Sequence, residues 1–127
     1  MDWLNSNAML LTQKTLDVSW EKQKVSLDNI ANVDTPGYKA KYVLFEDDLR
    51  EKLRRLDGKK SRDVREAIES ARPRVRQSDR ESIRMDGNNV NLDVEELEVA
   101  RNAYHYQFAL RQMSDQLARL RVAIEGR

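Results

Sequence analysis

The sequence of 127 residues contains no cysteine, only two prolines and four glycines, and few aromatic residues, which make up 6% of the chain. The absence of cysteine excludes disulfides, thiol catalysis and cysteine-ligated metal. Hydrophobic residues make up 39% of the chain against 35% charged residues, so any core must be thin. This composition favours an elongated helical protein with striped apolar surfaces over a compact globule with a deep catalytic cleft.

The sequence also lacks a dominant charge and a long apolar run. Lysine and arginine number 23 against 22 aspartate and glutamate, so net charge gives no indication of a nucleic-acid partner. No stretch approaches the roughly 20 apolar residues of a membrane span. The opening residues 1–3 carry neither a basic region nor the start of an apolar one. We therefore expect neither a cleaved signal peptide nor direct membrane insertion.

The N-terminal segment is patterned as one long helix. Residues 3–32 contain neither proline nor glycine, and apolar residues recur at helical spacings. Two apolar lines run along this segment: Leu4, Leu11, Val18 and Val25 form one, and Met9, Leu16, Trp20, Leu27 and Ala31 form the other. At about 1.5 Å per residue the helix is about 45 Å long, too long for so small a chain to cover on every apolar side.

The C-terminal segment has the clearest periodicity. A heptad seam steps by four and three through Val99, Ala103, Tyr106, Leu110, Met113, Leu117, Leu120 and Ile124. The spacing predicts a coiled-coil helix that begins at a capping box of Asp93 and Glu96. Ala100 and Ala103 are small enough to permit close approach of a second helix. Periodicity alone does not distinguish a small intramolecular bundle from a polymer.

The middle segment is charged and has only short apolar patterns. Apolar spacings predict one short helix ending at residues 57–58 and another ending before Pro73. Alternation around residues 86–89 predicts a small β-hairpin that pairs Ile83 and Met85 with Val90 and Leu92. The predicted fold is therefore mostly α, a helical hairpin or coiled coil of the two terminal helices. Residues 1–33 and 93–127 are expected to form one discontinuous rod-shaped domain, with residues 34–92 as the charged middle.

The most specific local pattern occupies residues 29–39, where the first helix must end. Asn32 tolerates the left-handed conformation that closes a helix, Pro36 fixes φ at the second position of a turn, and Gly37 supplies the positive φ that a type II turn needs next. Tyr38 is expected to pack its ring against the helix end and to keep its hydroxyl in water. An ordinary helix-terminating turn would show the same chemistry.

This segment resembles the signature of the axial proteins of the bacterial flagellum, which are its rod and hook subunits. In that signature an N-terminal helix is followed by Asn-x-x-Asn-x-x-Thr-Pro-Gly-Tyr, which is matched here by Asn29, Asn32, Thr35, Pro36, Gly37 and Tyr38. Residues 86–88, 93–95, 106–107, 110 and 123–126 are similar to the proximal rod subunits. The short middle also resembles the proximal rod, because distal rod and hook subunits carry much larger middle domains.

The resemblance implies a non-enzymatic structural subunit with no catalytic residue, cofactor or metal. Its partners would be further copies of itself, other flagellar rod subunits and the membrane-ring junction protein. Its terminal helices would stack around a channel as a hollow drive shaft that connects the membrane ring to the distal rod and hook, and motility would require it. The resemblance also implies export by the flagellar type III apparatus, without a cleaved signal peptide, to the rod that spans the periplasm.

Three other classes of function fit the sequence less well. An enzyme needs a poised acid, base or nucleophile, and the only histidine, His105, lies between two tyrosines without a partner in a catalytic spacing. A nucleic-acid binder is suggested by the arginines of residues 72–84, but acidic residues interrupt them and no aromatic residue is interleaved. A soluble coiled-coil adaptor is favoured by the heptads and leaves residues 29–39 unexplained.

Overall fold

The computed structural model describes residues 6–56, 58 and 60–126. The elements along the chain are α1 (Asn7–Ala31), β1 (Lys41–Leu44), α2 (Glu46–Arg54), α3 (Ser61–Ser70), β2 (Arg74–Gln77) and α4 (Leu92–Glu125). The predicted mostly helical fold, with long terminal helices and two short helices in the middle, is confirmed. Leu4 and the first residues of the predicted N-terminal helix lie outside the described residues.

The helices α1 and α4 form an antiparallel hairpin. The Trp20 and Tyr106 rings are 6.4 Å apart near its middle, and Asn29 Nδ2 donates to Glu95 Oε1 over 3.0 Å near one end. At about 1.5 Å per residue, the 34 residues of α4 span about 51 Å. The helix α4 packs mainly on α1, so most of its circumference remains uncovered within one copy.

Each long helix begins at a side-chain cap. Ser6 Oγ accepts from Met9 N over 3.1 Å, and the Asn91 side chain accepts from Val94 N over 3.3 Å. The predicted capping box that begins at Asp93 is therefore wrong. Asp93 lies inside the first turn of α4, where its negative charge favours the positive end of the helix.

The hydrophobic core lies between α1 and the middle segment. It is built from Val18, Phe45, Leu49, Ile68 and Ala71, with the side chains of Leu10, Leu53 and Val64 against its edge. The helix α4 contributes the buried Ala109 outside this cluster. The middle segment therefore packs on one face of α1, and α4 packs on another.

The two strands pair antiparallel, with Lys41 opposite Gln77 and Leu44 opposite Arg74. A small antiparallel sheet was predicted, but its predicted position between residues 83 and 92 is wrong. Ile83 and Met85 are fully exposed there. The segment after them forms no strand because the Asn88 side chain bonds to backbone groups around residues 32–35 and to Val90 N.

Candidate functional site

After α1, residues 35–38 form the predicted type II turn. Tyr38 N donates to Thr35 O over 3.2 Å, and Gly37 has a φ of 71°. Asn32, however, has a φ of −106°, so its predicted left-handed conformation is wrong. The helix instead ends through the Asn32 side chain, whose Nδ2 donates to Asp28 O over 2.8 Å and whose Oδ1 accepts from Thr35 Oγ1 over 3.1 Å.

Tyr38 folds back onto the last turn of α1. Its hydroxyl donates to Asp28 Oδ2 over 3.1 Å, in a bond that is exposed to solvent, and lies 3.3 Å from Asn29 Oδ1. Burial, followed by the nearby Asp28 carboxylate, raises the pKa of Tyr38. The hydrogen bonds from Lys41, at 3.0 Å, and then from Tyr38 lower the pKa of Asp28.

Asn29 connects three elements through one side chain that is 1% exposed. Its Oδ1 accepts from Lys41 N over 2.9 Å and its Nδ2 donates to Lys41 O over 2.8 Å, so the amide pairs with the first residue of β1 as a neighbouring strand would. The same Nδ2 donates to Glu95 on α4. Burial raises the pKa of Glu95, and the hydrogen bonds from Asn29 and Ser26 oppose this rise.

Asn88 holds the turn from the other side and is also 1% exposed. Its Nδ2 donates to the carbonyl oxygens of Asn32, Val33 and Thr35 over 2.9, 3.0 and 2.9 Å. Its Oδ1 accepts from Val90 N over 2.8 Å. We call Asn29, Asn88 and the turn of residues 32–38 that they hold the asparagine lock.

Two further contacts close the asparagine lock onto the segment before α4. Gly37 N donates to Asp86 O over 2.7 Å, and Asn89 Oδ1 accepts from Ala40 N over 2.6 Å. Residues 29–38 and 86–89 were singled out separately in the sequence, and the structure brings them together. Their contact was missed, because nothing in either segment indicates which backbone groups a distant asparagine will bind.

The predicted seam on α4 lies beside the face that packs on α1. Asn102 and Ala109 are buried in that face, with half-buried residues at intervals of three and four on either side of them. The actual row therefore runs through positions 99, 102, 106, 109, 113, 116 and 120. Every other residue of the predicted seam is shared with this row, and the remaining ones lie one position further round the helix.

We call this one-position offset of alternate seam residues from the buried row the half-step. It largely determines which of the predicted contact residues are exposed. Val99, Met113 and Leu120, which lie on the row, are half-buried, and Tyr106 on the same row is 37% exposed. The residues beside the row are exposed: Ala103, Leu110, Leu117 and Ile124. Ala100 and Ala103 are both exposed, and the buried positions of this helix are Asn102 and Ala109, so the close approach predicted at the two alanines is not used within one copy. The half-step leaves a row of apolar side chains uncovered along α4.

The predicted lines on α1 are divided between two neighbours and solvent. Val18 is buried in the core with the middle segment, Val25 is half-buried and Leu11 is partly exposed. Trp20 and Leu27, from the second line, are more than half exposed. The helix hairpin therefore presents uncovered apolar side chains on both of its helices.

The described residues contain no cluster of three or more histidine or acidic side chains that could hold a metal ion. Among the helices in the described part of the chain, none combines the length and the apolar character needed to cross a membrane. His105 is exposed on α4. The features that distinguish this molecule are therefore the asparagine lock and the uncovered helix faces.

Comparison with known proteins identifies the family, although no protein-family model matches the chain. The flagellar basal body rod protein FlgB of Bacillus subtilis strain 168 is 36% identical over 107 residues, which cover 83% of each protein. FlgB of Aeromonas hydrophila is 32% identical over 119 residues, covering 90% of this chain and 89% of the relative. FlgB of Escherichia coli K12 is 29% identical over 127 residues, covering 87% of each. The resemblance to flagellar rod subunits is confirmed, and the chain belongs to the FlgB family of flagellar basal body rod proteins.

Proposed function

We propose that this structural component of the flagellar rod assembles through its terminal helices into the hollow drive shaft that connects the membrane ring to the distal rod and hook. The observation that carries the proposal is the uncovered apolar row on α4. Leu110 and Leu117 are each 48% exposed and Ile124 is 66% exposed, at intervals of seven residues. An exposed apolar row contributes nothing to the stability of a monomer. In an assembly, neighbouring copies can bury it.

The energy available from this row is modest for one copy and considerable for an assembly. Burying the exposed half of one such side chain contributes about 1 kcal/mol, so the row contributes about 3 kcal/mol per copy. Trp20 and Leu27 on α1 add further uncovered area. Because the apolar faces surround the hairpin unevenly, contacts between different faces of successive copies produce an open helical assembly.

The assembly unit in this proposal is the pair of terminal segments, residues 1–33 and 93–127. The residues that would make contacts are those of the predicted lines and seam, with the turn motif fixing where α1 ends. The charged middle segment packs on α1 and would face other neighbours. Other rod subunits and the membrane-ring junction protein are the proposed partners, and motility would depend on the assembly.

Export through the flagellar type III apparatus, without a cleaved signal peptide, completes the proposal. A chain that must pass through a narrow channel needs a low free energy of unfolding, and the small core described above favours this. The proposed destination is the rod where it spans the periplasm.

Motility tests the proposal. We expect Leu110→Asp or Leu117→Asp to abolish swimming when the variant replaces the natural protein in deletion cells, because a carboxylate cannot be buried in an apolar helix contact without a partner. Electron microscopy of basal bodies should then show that the rods are missing. Gln112→Asp, at an exposed polar position of the same helix, is the control and should leave swimming intact.

Normal swimming with either leucine variant would contradict the proposed seam. Finite soluble dimers in light scattering, together with intact rods in deletion cells, would favour a coiled-coil adaptor instead.

A further inference from the structure

A second uncovered face of α4 lies away from α1 and is separate from the seam. Leu97, Tyr104 and Phe108 are 58%, 73% and 66% exposed, and at about 100° per residue they lie roughly opposite the buried Asn102 and Ala109. The exposed carboxylates of Asp93 and Glu96 precede this apolar row on the same side of the helix. We call Asp93, Glu96, Leu97, Ala100 and Tyr104 the acidic stripe.

The acidic stripe contains two negative charges, on Asp93 and Glu96, as well as apolar area. Within the described residues, neither Asp93 nor Glu96 forms an ion pair, whereas Glu98, two residues after Glu96, pairs with Arg101 over 3.1 Å. A partner of this stripe should therefore present an apolar patch bordered by two cations.

The outer face of the two-stranded sheet matches this description. Tyr42 and Leu44 alternate with half-buried neighbours and are 46% and 37% exposed. The register places Arg76 opposite Tyr42 and Arg74 opposite Leu44, so all four side chains lie on one face of the sheet. Both arginines are exposed, and neither forms an ion pair among the described residues. We call these four residues the arginine face.

We propose that the acidic stripe of one copy binds the arginine face of the next copy. Each surface supplies what the other lacks, because two unpaired guanidinium groups meet two unpaired carboxylates and the exposed tyrosine and leucine of the sheet meet Leu97 and Tyr104. The two surfaces share no residue, so the contact is heterologous and continues from copy to copy instead of closing a dimer. Two acidic stripes packed on each other would leave their carboxylates without cations.

This inference rests on the proposed function, since it names the neighbour of a subunit that assembles with itself. The sizes of the two surfaces agree: the stripe from position 93 to 104 is about 16 Å long, and four residues of strand span about 13 Å. So small a patch falls well below the roughly 800 Å² per partner of a stable interface. It therefore acts together with the helix seam in the same assembly, where linked contacts reinforce each other.

Cysteine cross-linking tests the contact directly, because the natural chain contains no cysteine. The full chain carrying both Tyr42→Cys and Leu97→Cys would replace the natural protein in deletion cells, followed by mild oxidation and immunoblotting. We expect a ladder of dimers and higher oligomers, because each copy carries both halves of a contact that propagates. The control carries Arg62→Cys in place of Leu97→Cys, at an exposed position of α3, and should stay monomeric.

Charge reversal supplies a second readout. Arg74→Glu with Arg76→Glu should lower the cross-linked fraction by about tenfold, through repulsion from the acidic stripe. Adding Asp93→Lys and Glu96→Lys to the same chain should restore cross-linking, which a variant that merely fails to fold could not do. Circular dichroism of each purified variant checks that the helices are retained.

The results separate this inference from the proposed function. Dimers formed by Leu97→Cys alone would overturn the heterologous contact, and so would absence of the ladder while the Leu117→Asp variant still loses motility. In that second case the proposed self-assembly stands. Normal swimming by Leu117→Asp contradicts the proposed seam, whatever the cross-linking result.

Discussion

Buried side-chain amides hold the end of the helix hairpin together at the scale of single residues. Asn29 and Asn88 are each 1% exposed, and both use their donors and their acceptor on protein groups. An amide satisfied in this way has little cost of burial, but its removal leaves the partner carbonyl groups without donors. The asparagine lock is therefore far more sensitive to substitution than its polar composition suggests.

The asparagine lock predicts a large loss of stability for Asn88→Ala. The variant loses the two N–H donors that three carbonyl oxygens share and one accepted bond, and we expect the free energy of unfolding to fall by about 3 kcal/mol. Urea unfolding followed by circular dichroism measures this change. Asn91→Ala is the matched comparison: it removes only the cap of α4, which costs about 1 kcal/mol. Equal losses in the two variants would contradict the central place of Asn88.

Glu95 predicts a dependence of stability on pH. Because burial raises the pKa of Glu95, the folded protein binds the proton of this carboxyl group more tightly than the unfolded chain does. The ionised carboxylate therefore reduces stability above the folded pKa, and this cost disappears as the pH falls below the usual pKa of glutamate. We expect Glu95→Gln, which keeps an oxygen for Asn29, to be the more stable protein at neutral pH and to lose its advantage near pH 4.

Thermal unfolding of both proteins across this pH range gives the comparison. Glu96→Gln, at the exposed neighbouring position, is the control. An advantage of Glu95→Gln that grows as the pH falls would have the wrong sign and would contradict the assignment.

At the scale of elements, α3 depends on a lysine from another helix. Lys14, which is 9% exposed, donates from Nζ to Ala71 O over 3.0 Å and to Glu69 O over 3.2 Å, at the C-terminal end of α3. A cation there is favoured by the negative end of the helix. Burial, and then repulsion from Arg72, lowers the pKa of Lys14.

We expect Lys14→Met to destabilise the protein by about 2 kcal/mol, because the methionine fills the space of the lysine but leaves two buried carbonyl groups without their charged donor. Hydrogen exchange should increase first in α3. Lys24→Met, which removes an exposed lysine of α1 paired with Glu21, should have little effect. Unchanged exchange in α3 in the Lys14 variant would rule out this capping role.

The elements that could be predicted from the sequence are those whose information is local. Helical spacing predicted the four helices found in the described residues, and Pro36 and Gly37 predicted the turn between α1 and β1. The pairing of β1 with β2 could not be predicted, since about 30 residues separate the strands and neither has a strong alternating pattern. The bonds from Asn88 to residues 32–35 join positions more than 50 apart, and no local rule anticipates them.

The half-step between the predicted and observed rows on α4 has a related cause. Hydrophobicity favours the leucine row, so the sequence assigned Leu110 and Leu117 to the helix contact. The structure buries Asn102 and Ala109 instead, and the buried positions of α1 include Ser19 and Ser26. Small and polar residues on both helices permit closer packing than leucine does. Their use inside one copy leaves the leucines exposed, as the proposed contacts between copies require.

At the scale of the whole molecule, the small core predicts a weakly stable monomer. Among the described residues, the buried apolar cluster consists of five side chains, and several large apolar residues are exposed. We expect a broad thermal transition at moderate temperature in dilute solution, measured by circular dichroism. A sharp cooperative transition at high temperature would contradict this expectation and weaken the argument for cheap unfolding before export.

The asparagine lock also sets an order of events for a chain that emerges N-terminus first, whether from a ribosome or from a narrow channel. The turn at residues 32–38 is complete early, but the Asn88 amide that fixes it comes more than 50 residues later. Until then α1 has neither its clamp nor α4 to pack on. The face of α1 that packs on the middle segment can be covered earlier, but the face that packs on α4 stays uncovered until the last third of the chain arrives.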